Sequence, residues 1–337
     1  MNDPIQQMIQ AKTVLAPMAG VTDVPFRMLM RRFGCKFAFT EMIDVNGVIY
    51  NNRKTFRLME RLPGDAPLGI QLVGRDEDKF SRVAAYCVEK GYRVIDINAG
   101  CPARKVVSPG KGVSLMRAPA VLSRIVRRLV RELGVPVTVK MRSGWNEEEK
   151  NYMEVAEAVQ DAGASAVCVH ARTKEQMYKG RADHRITAEM KRNLRIPVFA
   201  SGNLMSPRDV KDVLDLTGCD GVFIARGCLG RPWIFSQTNR MLRGMEPIDP
   251  PGFEDIKEIM LEHFQLASEY FESSRLFPRM YKHVAWYFKG HKNLDPVMRS
   301  YRQVDSLDGL RRFVESVKVG ERNRLEVSGG FPAQGTI

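Results

Sequence analysis

Eight short apolar segments recur over roughly the first 230 residues of the chain, and amphipathic segments separate them. Strands that helices cover on both faces are apolar throughout rather than alternating, so we expect these segments to be parallel strands. The strands are expected at Thr13–Pro17, Phe37–Glu41, Leu68–Leu72, Val94–Asn98, Val137–Lys140, Ala166–His170, Val198–Ser201 and Val222–Ala225. Eight strand–helix units of this size predict an α/β fold, the (β/α)8 TIM barrel.

Glycine stop signals support the helices between these strands. We expect helices at Asp76–Lys90, Ala118–Leu133, Glu148–Asp161 and Ser206–Leu216, and a glycine follows each of them within two residues. A doubly wound sheet is the alternative fold. It would need Gly-x-Gly-x-x-Gly after its first strand, whereas the turn here is Ala16-Pro17-Met18-Ala19-Gly20.

The strand pattern ends before Pro247–Gly252, a Pro/Gly-rich segment that is typical of a linker. We therefore divide the chain into a barrel domain of residues 1–246 and a smaller, all-helical domain of residues 253–320. Residues 321–337 lack periodicity, so we expect a disordered tail there.

The chain carries a large excess of positive charge. It has 52 Lys/Arg and 39 Asp/Glu, which gives a net charge of +13 and a pI near 9.6. A simple metabolic enzyme needs no such excess, whereas a polyphosphate partner would use it. Between Arg275 and Arg312 nine Lys/Arg stand with three Asp/Glu, interleaved with aromatic residues. This segment predicts either a nucleic-acid surface or an ordinary solvated helix face.

The chain has no apolar run of about 18 residues and no basic-then-apolar start. These features favour a cytoplasmic protein without a membrane span. The six cysteines are scattered, with no Cys-x-x-Cys pair and no histidine at metal-ligand spacing, so we expect reduced thiols and no metal site. We also expect a monomer.

One cysteine stands at a sharp turn after the fourth predicted strand. Cys101 lies between Gly100, which lets the backbone bend, and Pro102, which fixes φ. Arg104 and Lys105 follow, and cations close to a thiol would lower its pKa. A single cysteine in a loop does not by itself indicate a functional site. Here the ends of the neighbouring strands are also polar, which favours a functional role for Cys101.

In a TIM barrel the active site lies at the carboxyl ends of the strands. Every predicted strand after the first ends in a polar, cationic or backbone-exposing group. Packing prefers apolar side chains, so a shared site explains this set better. The groups are Pro17-Met18, Glu41, Gln71, Asn98 with Cys101, Lys140 with Arg142, His170 with Arg172, Gly202-Asn203 and Arg226-Gly227.

The residue types at these ends indicate a planar, phosphorylated cofactor. Gln71, Lys140 and His170 offer donors to a heterocycle with carbonyl oxygens and a ring nitrogen. The segments Ser201–Asn203 and Ala225–Gly227 follow the seventh and eighth strands, where such barrels bind phosphate. FMN fits this set best. Taken singly, Lys140 and His170 would rather indicate a salt bridge and a packed imidazole.

Four motifs resemble those of the tRNA-dihydrouridine synthases, most closely the bacterial B-type branch. They are Ala16–Asp23, Asn98–Pro102, His170–Thr173 and Arg231–Phe235, and the similarity extends to Lys282–Tyr287. The Asn-x-Gly-Cys-Pro-x-x-Lys element is specific, whereas other flavin barrels share Ala-Pro-Met-x-Gly.

The resemblance implies an FMN enzyme that reduces uridine in tRNA to 5,6-dihydrouridine with NADPH. Cys101 would be the catalytic proton donor to C5 of the uracil, and reduced flavin would give hydride to C6. The FMN-binding positions would be Pro17, Met18, Ala19, Gln71, Lys140, His170, Ser201, Gly202, Asn203, Ala225 and Arg226. Asn98, Arg142 and Arg172 would lie near the uracil and its ribose-phosphate. From the clustering of positive charge, and not from the resemblance, we expect Lys282, Lys289 and Lys292 of the helical domain and Lys105 beside the Cys101 turn to bind the tRNA.

The chain departs from the family pattern in a few places. Ser201-Gly202-Asn203 replaces Asn-Gly-Asp, Ala225 replaces a glycine, and Ala182–Thr187 lacks a common tryptophan. Lys111 adds a cation after the Cys101 turn, beside the expected path of the RNA.

Two other functions fit parts of the sequence. A flavin dehydrogenase of the dihydroorotate type would use the cofactor groups but would need neither the helical domain nor the charge. A non-catalytic RNA-binding barrel would explain the charge but not Cys101, Lys140 and His170.

Overall fold

The structure is a computed structural model that describes residues 3–327. Eight parallel strands close into a barrel in chain order, and β1 pairs with both β2 and β8. The strands are β1 Thr13–Leu15, β2 Phe37–Asp44, β3 Leu68–Val73, β4 Ile95–Ala99, β5 Val137–Gly144, β6 Ala166–Thr173, β7 Val198–Ser201 and β8 Gly221–Ile224. The predicted TIM barrel is confirmed, and the closed strand order rules out the doubly wound alternative.

Each connection between consecutive barrel strands contains at least one helix. The helices of this part are α1 Pro4–Ala11, α2 Val24–Arg32, α3 Val45–Ile49, α4 Arg53–Leu58, α5 Glu77–Glu89, α6 Arg104–Val107, α7 Pro119–Leu133, α8 Tyr152–Asp161, α9 His184–Asn193, α10 Pro207–Thr217 and α11 Ile234–Leu242. Asp76 and Ser206 cap α5 and α10 by accepting backbone N–H groups, as their positions before the helices suggest. Helix α8 begins four residues later than expected, because Trp145 N–H donates to the Glu149 carbonyl in a turn.

A phenylalanine cluster fills the barrel towards the amino ends of its strands. Phe39 stacks on Phe223, and Phe199 meets Phe223 edge to face. Ile5 and Met8 of α1 join this buried cluster. The interior is therefore packed near α1, and the polar groups concentrate towards the carboxyl ends of the strands.

The described residues form two compact units, of which the first comprises residues 3–227 and 234–246. The second unit comprises residues 228–233 and 247–327, so it includes a short segment that the sequence pattern assigned to the barrel. Its helices are α12 Phe253–Tyr270, α13 Ser273–Tyr287, α14 Leu294–Tyr301 and α15 Leu307–Ser316.

The second unit ends in a β-hairpin that the sequence pattern did not predict. Strand β9 Val317–Gly320 pairs antiparallel with β10 Arg324–Val327. The expectation of a purely helical segment up to residue 320 was wrong at β9, and the expected disordered tail was wrong for residues 321–327. Residues 328–337 lie outside the described part of the chain.

Aromatic side chains form the core of the second unit. Tyr287, Phe288 and Tyr301 are buried, and Phe264 lies between Phe277 and Tyr301. Most aromatics of the basic segment therefore pack inside the unit and cannot stack on a partner. Among the described helices, none has both the length and the apolar composition of a membrane span.

Candidate functional site

Strand pairing brings the predicted site residues side by side at the carboxyl ends of the barrel strands. Asn98 on β4 lies opposite Lys140 on β5. Arg142 on β5 lies opposite His170 on β6, and His170 lies opposite Ser201 on β7. Three consecutive strand pairs thus carry one continuous set of polar groups.

The Cys101 turn is held from two sides. The Asn98 side-chain oxygen accepts the backbone N–H groups of Cys101 at 2.8 Å and of Gly100 at 3.1 Å. On the other side, Val113 N–H donates to the Cys101 carbonyl at 3.2 Å. Gly112 has φ +61°, and a Cβ there would meet the Cys101 carbonyl oxygen at 2.7 Å. Glycine at position 112 therefore permits the close approach that holds the turn.

The Cys101 thiol is protonated at neutral pH. Burial raises its pKa above the ordinary value, and Arg142 and Lys105 offset this only in part. Lys105 lowers the pKa of this thiol as expected, but desolvation outweighs it, so the net shift is upward. All six cysteines lie within residues 3–327, and among them Cys101 is the one that is not fully buried. A protonated, accessible thiol is suited to donate a proton.

His170 is neutral, and its tautomer follows from its contact with an arginine. Burial and the charges of Lys140, Arg142, Arg172 and Arg226 hold the pKa of His170 well below its usual range. Arg172 Nη1 lies 2.9 Å from His170 Nε2, and arginine can only donate, so Nε2 accepts. The ring proton is then on Nδ1, which is the donor that His170 can offer to a ligand.

Arg172 ties together the loops after β6 and β7. Its Nη2 donates to the side-chain oxygen of Asn203 at 2.6 Å and to the carbonyl of Gly180 at 2.8 Å, and its Nε donates to the carbonyl of Lys179. The side chain is almost fully buried. Arg172 therefore braces the site, and direct contact with a substrate stays a prediction.

Arg142 braces the Cys101 turn in a similar way. Its Nε donates to the Gly100 carbonyl at 2.9 Å, and its Nη1 donates to the carbonyls of Thr173 at 2.7 Å and Met177 at 3.0 Å. Burial lowers the pKa of Arg142 to about 10, so it stays charged at neutral pH. Arg142 thus contributes positive charge next to Cys101 as well as rigidity.

The turn after β7 requires glycine. Gly202 has φ +111°, and a Cβ there would lie 2.8 Å from His170 Cδ2 and 2.9 Å from Ala182 Cβ. His184 Nε2 contacts the Gly202 carbonyl at 3.0 Å and therefore donates to it. His184 lies in the segment that lacks the tryptophan, and it supports this turn.

The remaining predicted cofactor positions lie at neighbouring strand ends. After β1, Pro17 and Met18 are half-buried and Ala19 is exposed. After β8, Ala225 is half-buried, and the Arg226 guanidinium lies 5.0 Å from the ring centre of Tyr178. Lys140 is half-buried, and its ammonium group makes no hydrogen bond or ion pair within residues 3–327. A partly desolvated cation of this kind is suited to an anionic or electron-rich ligand.

Asp96, which was not among the predicted site residues, is hydrogen-bonded to one of them. Gln71 donates from Nε2 to Asp96 at 2.6 Å and accepts at Oε1 from Asn98 Nδ2 at 2.7 Å. Thr138 also donates to Asp96 at 2.6 Å. Asp96 and Asn98 are two residues apart on a strand and share a face, which is the signal that could have indicated the pair.

Lys111 and Lys105 occupy different environments. Lys111 is buried and forms an ion pair with Asp44, whose two oxygens lie 2.8 and 2.7 Å from Nζ. Lys111 is therefore partly neutralised by Asp44, and its expected place beside the path of the RNA stays a prediction. Lys105 is exposed next to the Cys101 turn and contributes positive charge there.

The predicted tRNA-binding lysines of the second unit are on and just after α13. Lys289 and Lys292 are exposed, and Lys282 lies half-buried, 5.8 Å above the ring of Trp286. Whether these lysines bind RNA stays a prediction. Within residues 3–327, no group of three His, Cys, Asp or Glu residues could hold a metal ion.

Comparison with known proteins identifies the family. The family model "Dihydrouridine synthase (Dus)" matches residues 14–319. The chain is 36% identical to tRNA-dihydrouridine synthase B of Vibrio vulnificus (strain CMCP6), over 92% of this chain and 97% of that protein. It is 38% identical to tRNA-dihydrouridine synthase B of Pseudomonas putida (strain KT2440), over 84% of each chain.

A more distant likeness concerns the fold alone. Histamine dehydrogenase from Rhizobium sp. 4-9 aligns with a TM-score of 0.52 and 13% identity, over 76% of this chain and 49% of that one. The barrel architecture and the match along residues 14–319 agree. The chain belongs to the dihydrouridine synthase family.

Proposed function

We propose that this protein reduces uridines in tRNA to 5,6-dihydrouridine, with FMN as cofactor, NADPH as reductant and Cys101 as proton donor. The observation that carries the proposal is the Cys101 turn at the carboxyl end of the barrel, which Asn98 holds through the Cys101 N–H and Arg142 through the Gly100 carbonyl. The raised pKa of the thiol agrees with a proton donor. The names of the B-type relatives support the substrate and the product.

The donors at the strand ends fit FMN. Lys140 has no hydrogen-bond or ion-pair partner within the described chain, and His170 keeps Nδ1–H free of Arg172. Gly202 lets the turn after β7 lie close against His170, with its backbone near the strand end. Gln71 has given one amide hydrogen to Asp96 and its oxygen to Asn98, so it retains one hydrogen as a donor. Pro17, Met18, Ala19, Ser201, Asn203, Ala225 and Arg226 would complete the binding site. When bound, FMN would accept hydride from NADPH and deliver it to the pyrimidine.

The chain's own residues would supply the proton and the stabilising charge. Saturation of the C5–C6 bond requires hydride at C6 and a proton at C5, and Cys101 would transfer the proton from Sγ to C5. Negative charge develops on the uracil as the hydride arrives, and Arg142 and Lys140 would stabilise it. The same cations would stabilise the resulting thiolate until water reprotonates it.

The positive charge of the chain would bind the RNA. A uracil in a folded tRNA must leave its stack before it can enter the barrel, which requires contacts to the flanking phosphates. Lys105 in the barrel and Lys282, Lys289 and Lys292 in the second unit would supply such contacts. Since most aromatics of the second unit are buried, we expect this unit to bind phosphates rather than to stack on bases.

The proposal is tested by mass spectrometry of tRNA from a strain that lacks this protein and from the same strain with the gene restored. We expect one or more nucleotides to be two hydrogens lighter in the deletion strain, and the mapped positions define the specificity. Identical tRNA in the two strains would contradict the proposal. Purified protein should also be yellow and release FMN on denaturation, which a non-catalytic RNA-binding barrel would not do.

A further inference from the structure

Four buried polar side chains form a continuous hydrogen-bonded chain that ends at the Cys101 turn. Strand register places Asp96 opposite Gln71 on β3 and opposite Thr138 on β5. Thr138 and Gln71 each donate to Asp96 at 2.6 Å, and Asn98 donates to Gln71 at 2.7 Å. Asn98 then accepts the Cys101 N–H at 2.8 Å. The side chains of this interior chain are all less than a tenth exposed.

The charge of Asp96 sets the donor and the acceptor of each hydrogen bond from Gln71 to the Cys101 turn. An ionised carboxylate can only accept, so Asp96 requires the NH2 group of Gln71 to face it. The Gln71 oxygen then faces Asn98 and requires a donor, which is the Asn98 NH2 group. That orientation leaves the Asn98 oxygen towards the backbone N–H groups of Gly100 and Cys101. A flip of Gln71 would place two NH2 groups face to face, or would flip Asn98 as well and remove the acceptor from the turn.

We propose that Asp96 is a positioning residue, whose acceptor-only carboxylate orients Gln71 and Asn98 and thereby fixes the turn that presents Cys101. The catalytic consequence rests on the proposed function, because it assumes that Cys101 delivers a proton. The structural consequence, an ordered Cys101 turn, does not depend on any reaction.

The charge state of Asp96 agrees with this role at neutral pH. Burial raises the pKa of Asp96 to about 6, although the hydrogen bonds from Gln71 and Thr138 and the charge of Lys140 oppose the rise. Besides Lys140, the thiol of Cys168 on β6 interacts electrostatically with Asp96. Burial raises the pKa of Cys168 to about 12, so this thiol stays neutral near pH 6. Below about pH 6 Asp96 gains a proton, can donate to Gln71, and no longer enforces one direction.

The test measures the reactivity of the Cys101 thiol in the full chain with 2,2′-dipyridyl disulfide, which reacts with thiols even in acid. The other five cysteines are buried, so the fast phase reports Cys101, and peptide mass spectrometry identifies the modified residue. Asp96→Asn replaces the acceptor-only group by one that can also donate. We expect its fast phase at pH 8 to be about tenfold faster than that of the wild type, because the turn loses its two hydrogen bonds to Asn98.

Thr138→Val is the matched control. It removes the other hydrogen bond of the same carboxylate. Because that bond lowers the pKa of Asp96, the variants are compared at pH 8, well above the wild-type value of about 6, where we expect Asp96 to stay ionised and to orient Gln71 as before. We expect its melting temperature to fall about as much as that of Asp96→Asn, while the Cys101 fast phase stays at the wild-type rate. Wild-type rates in both variants, or equal acceleration in both, would overturn the proposal in favour of a merely structural Asp96.

A pH profile keeps the proposal testable if Asp96→Asn does not fold. In the wild type, the rate at which Cys101 reacts should rise in a step as the pH falls through about 6, because Asp96 is then protonated. A plot of this rate against pH without such a step would overturn the proposal. Dihydrouridine formation at pH 8 should also fall in Asp96→Asn by up to about 10²-fold, as expected for a misplaced reacting group. If the wild type forms no dihydrouridine, the proposed function fails, whereas the thiol measurements still decide whether Asp96 orders the turn.

Discussion

Replacement of Gly202 by alanine should separate the FMN proposal from a purely structural account of the turn after β7. The backbone at Gly202 has φ +111°, a region that side chains other than glycine rarely adopt, at a cost of about 1–3 kcal/mol. The new Cβ would lie 2.8 Å from His170 Cδ2 and 2.9 Å from Ala182 Cβ. Such contacts cannot persist, and overpacking of this kind costs a further ~1–3 kcal/mol. We therefore expect Gly202→Ala to be destabilised by about 2–6 kcal/mol, the sum of these two costs, and its His170 ring to be displaced.

Gly134→Ala is the matched control for this substitution. Gly134 follows α7 with φ +62°, and a Cβ there would meet no atom within 4 Å. This variant should show only the backbone cost of about 1–2 kcal/mol for a left-handed residue. Because Gly134 does not touch His170, its bound FMN should remain at the wild-type level.

The assay combines urea denaturation with the amount of FMN that each purified variant releases on heating. We expect Gly202→Ala to lose more stability than Gly134→Ala and to retain much less FMN. The reasoning is refuted if Gly202→Ala binds as much FMN as Gly134→Ala, since His170 would then tolerate displacement or have no role in cofactor binding.

Three further outcomes are expected. Lys140→Ala should bind less FMN or reduce it more slowly with NADPH, as measured by stopped-flow absorbance. A wild-type FMN content together with a wild-type reduction rate would contradict this assignment. Replacement of Lys282, Lys289 and Lys292 by alanine should weaken tRNA binding and make it less dependent on salt. The slope of log affinity against log salt should change by roughly 0.7–0.9 for each phosphate that is no longer neutralised. An unchanged slope would mean that these lysines are only solvated. Because the pKa of Cys101 is raised, its alkylation by iodoacetamide should keep accelerating past pH 9, the ordinary thiol value, whereas a plateau near neutral pH would indicate a thiolate.

The barrel could be predicted because its determinants are local. Each strand is a short apolar run, and stop signals such as Gly134 and Gly218 adopt the left-handed conformation that ends a helix. The Cys101 turn was equally visible, since Gly100 permits a sharp bend and Pro102 fixes φ on the other side. The C-terminal hairpin was missed although Val317–Val319 and Leu325–Val327 both alternate apolar and polar residues.

The features of the site that the sequence did not indicate have long-range causes. Lys111 pairs with Asp44, which lies 67 residues away in sequence, so no local pattern could indicate that ion pair. The pKa of Cys101 depends on how far the fold desolvates the thiol, and sequence spacing showed only the neighbouring Lys105. Asp96 was overlooked for a similar reason, because its partners Gln71 and Thr138 come from other strands.

The most direct test of the central claim compares wild type and Cys101→Ala for dihydrouridine formation in vitro, with tRNA lacking the modification, NADPH and mass-spectrometric detection. We expect the wild type to form dihydrouridine and Cys101→Ala to do so about 10² to 10⁴ times more slowly. FMN content and the rate of flavin reduction by NADPH should be the same in both proteins, because the thiol only protonates the base. Equal rates of dihydrouridine formation, or no product from the wild type, would contradict the assignment of Cys101 as the proton donor.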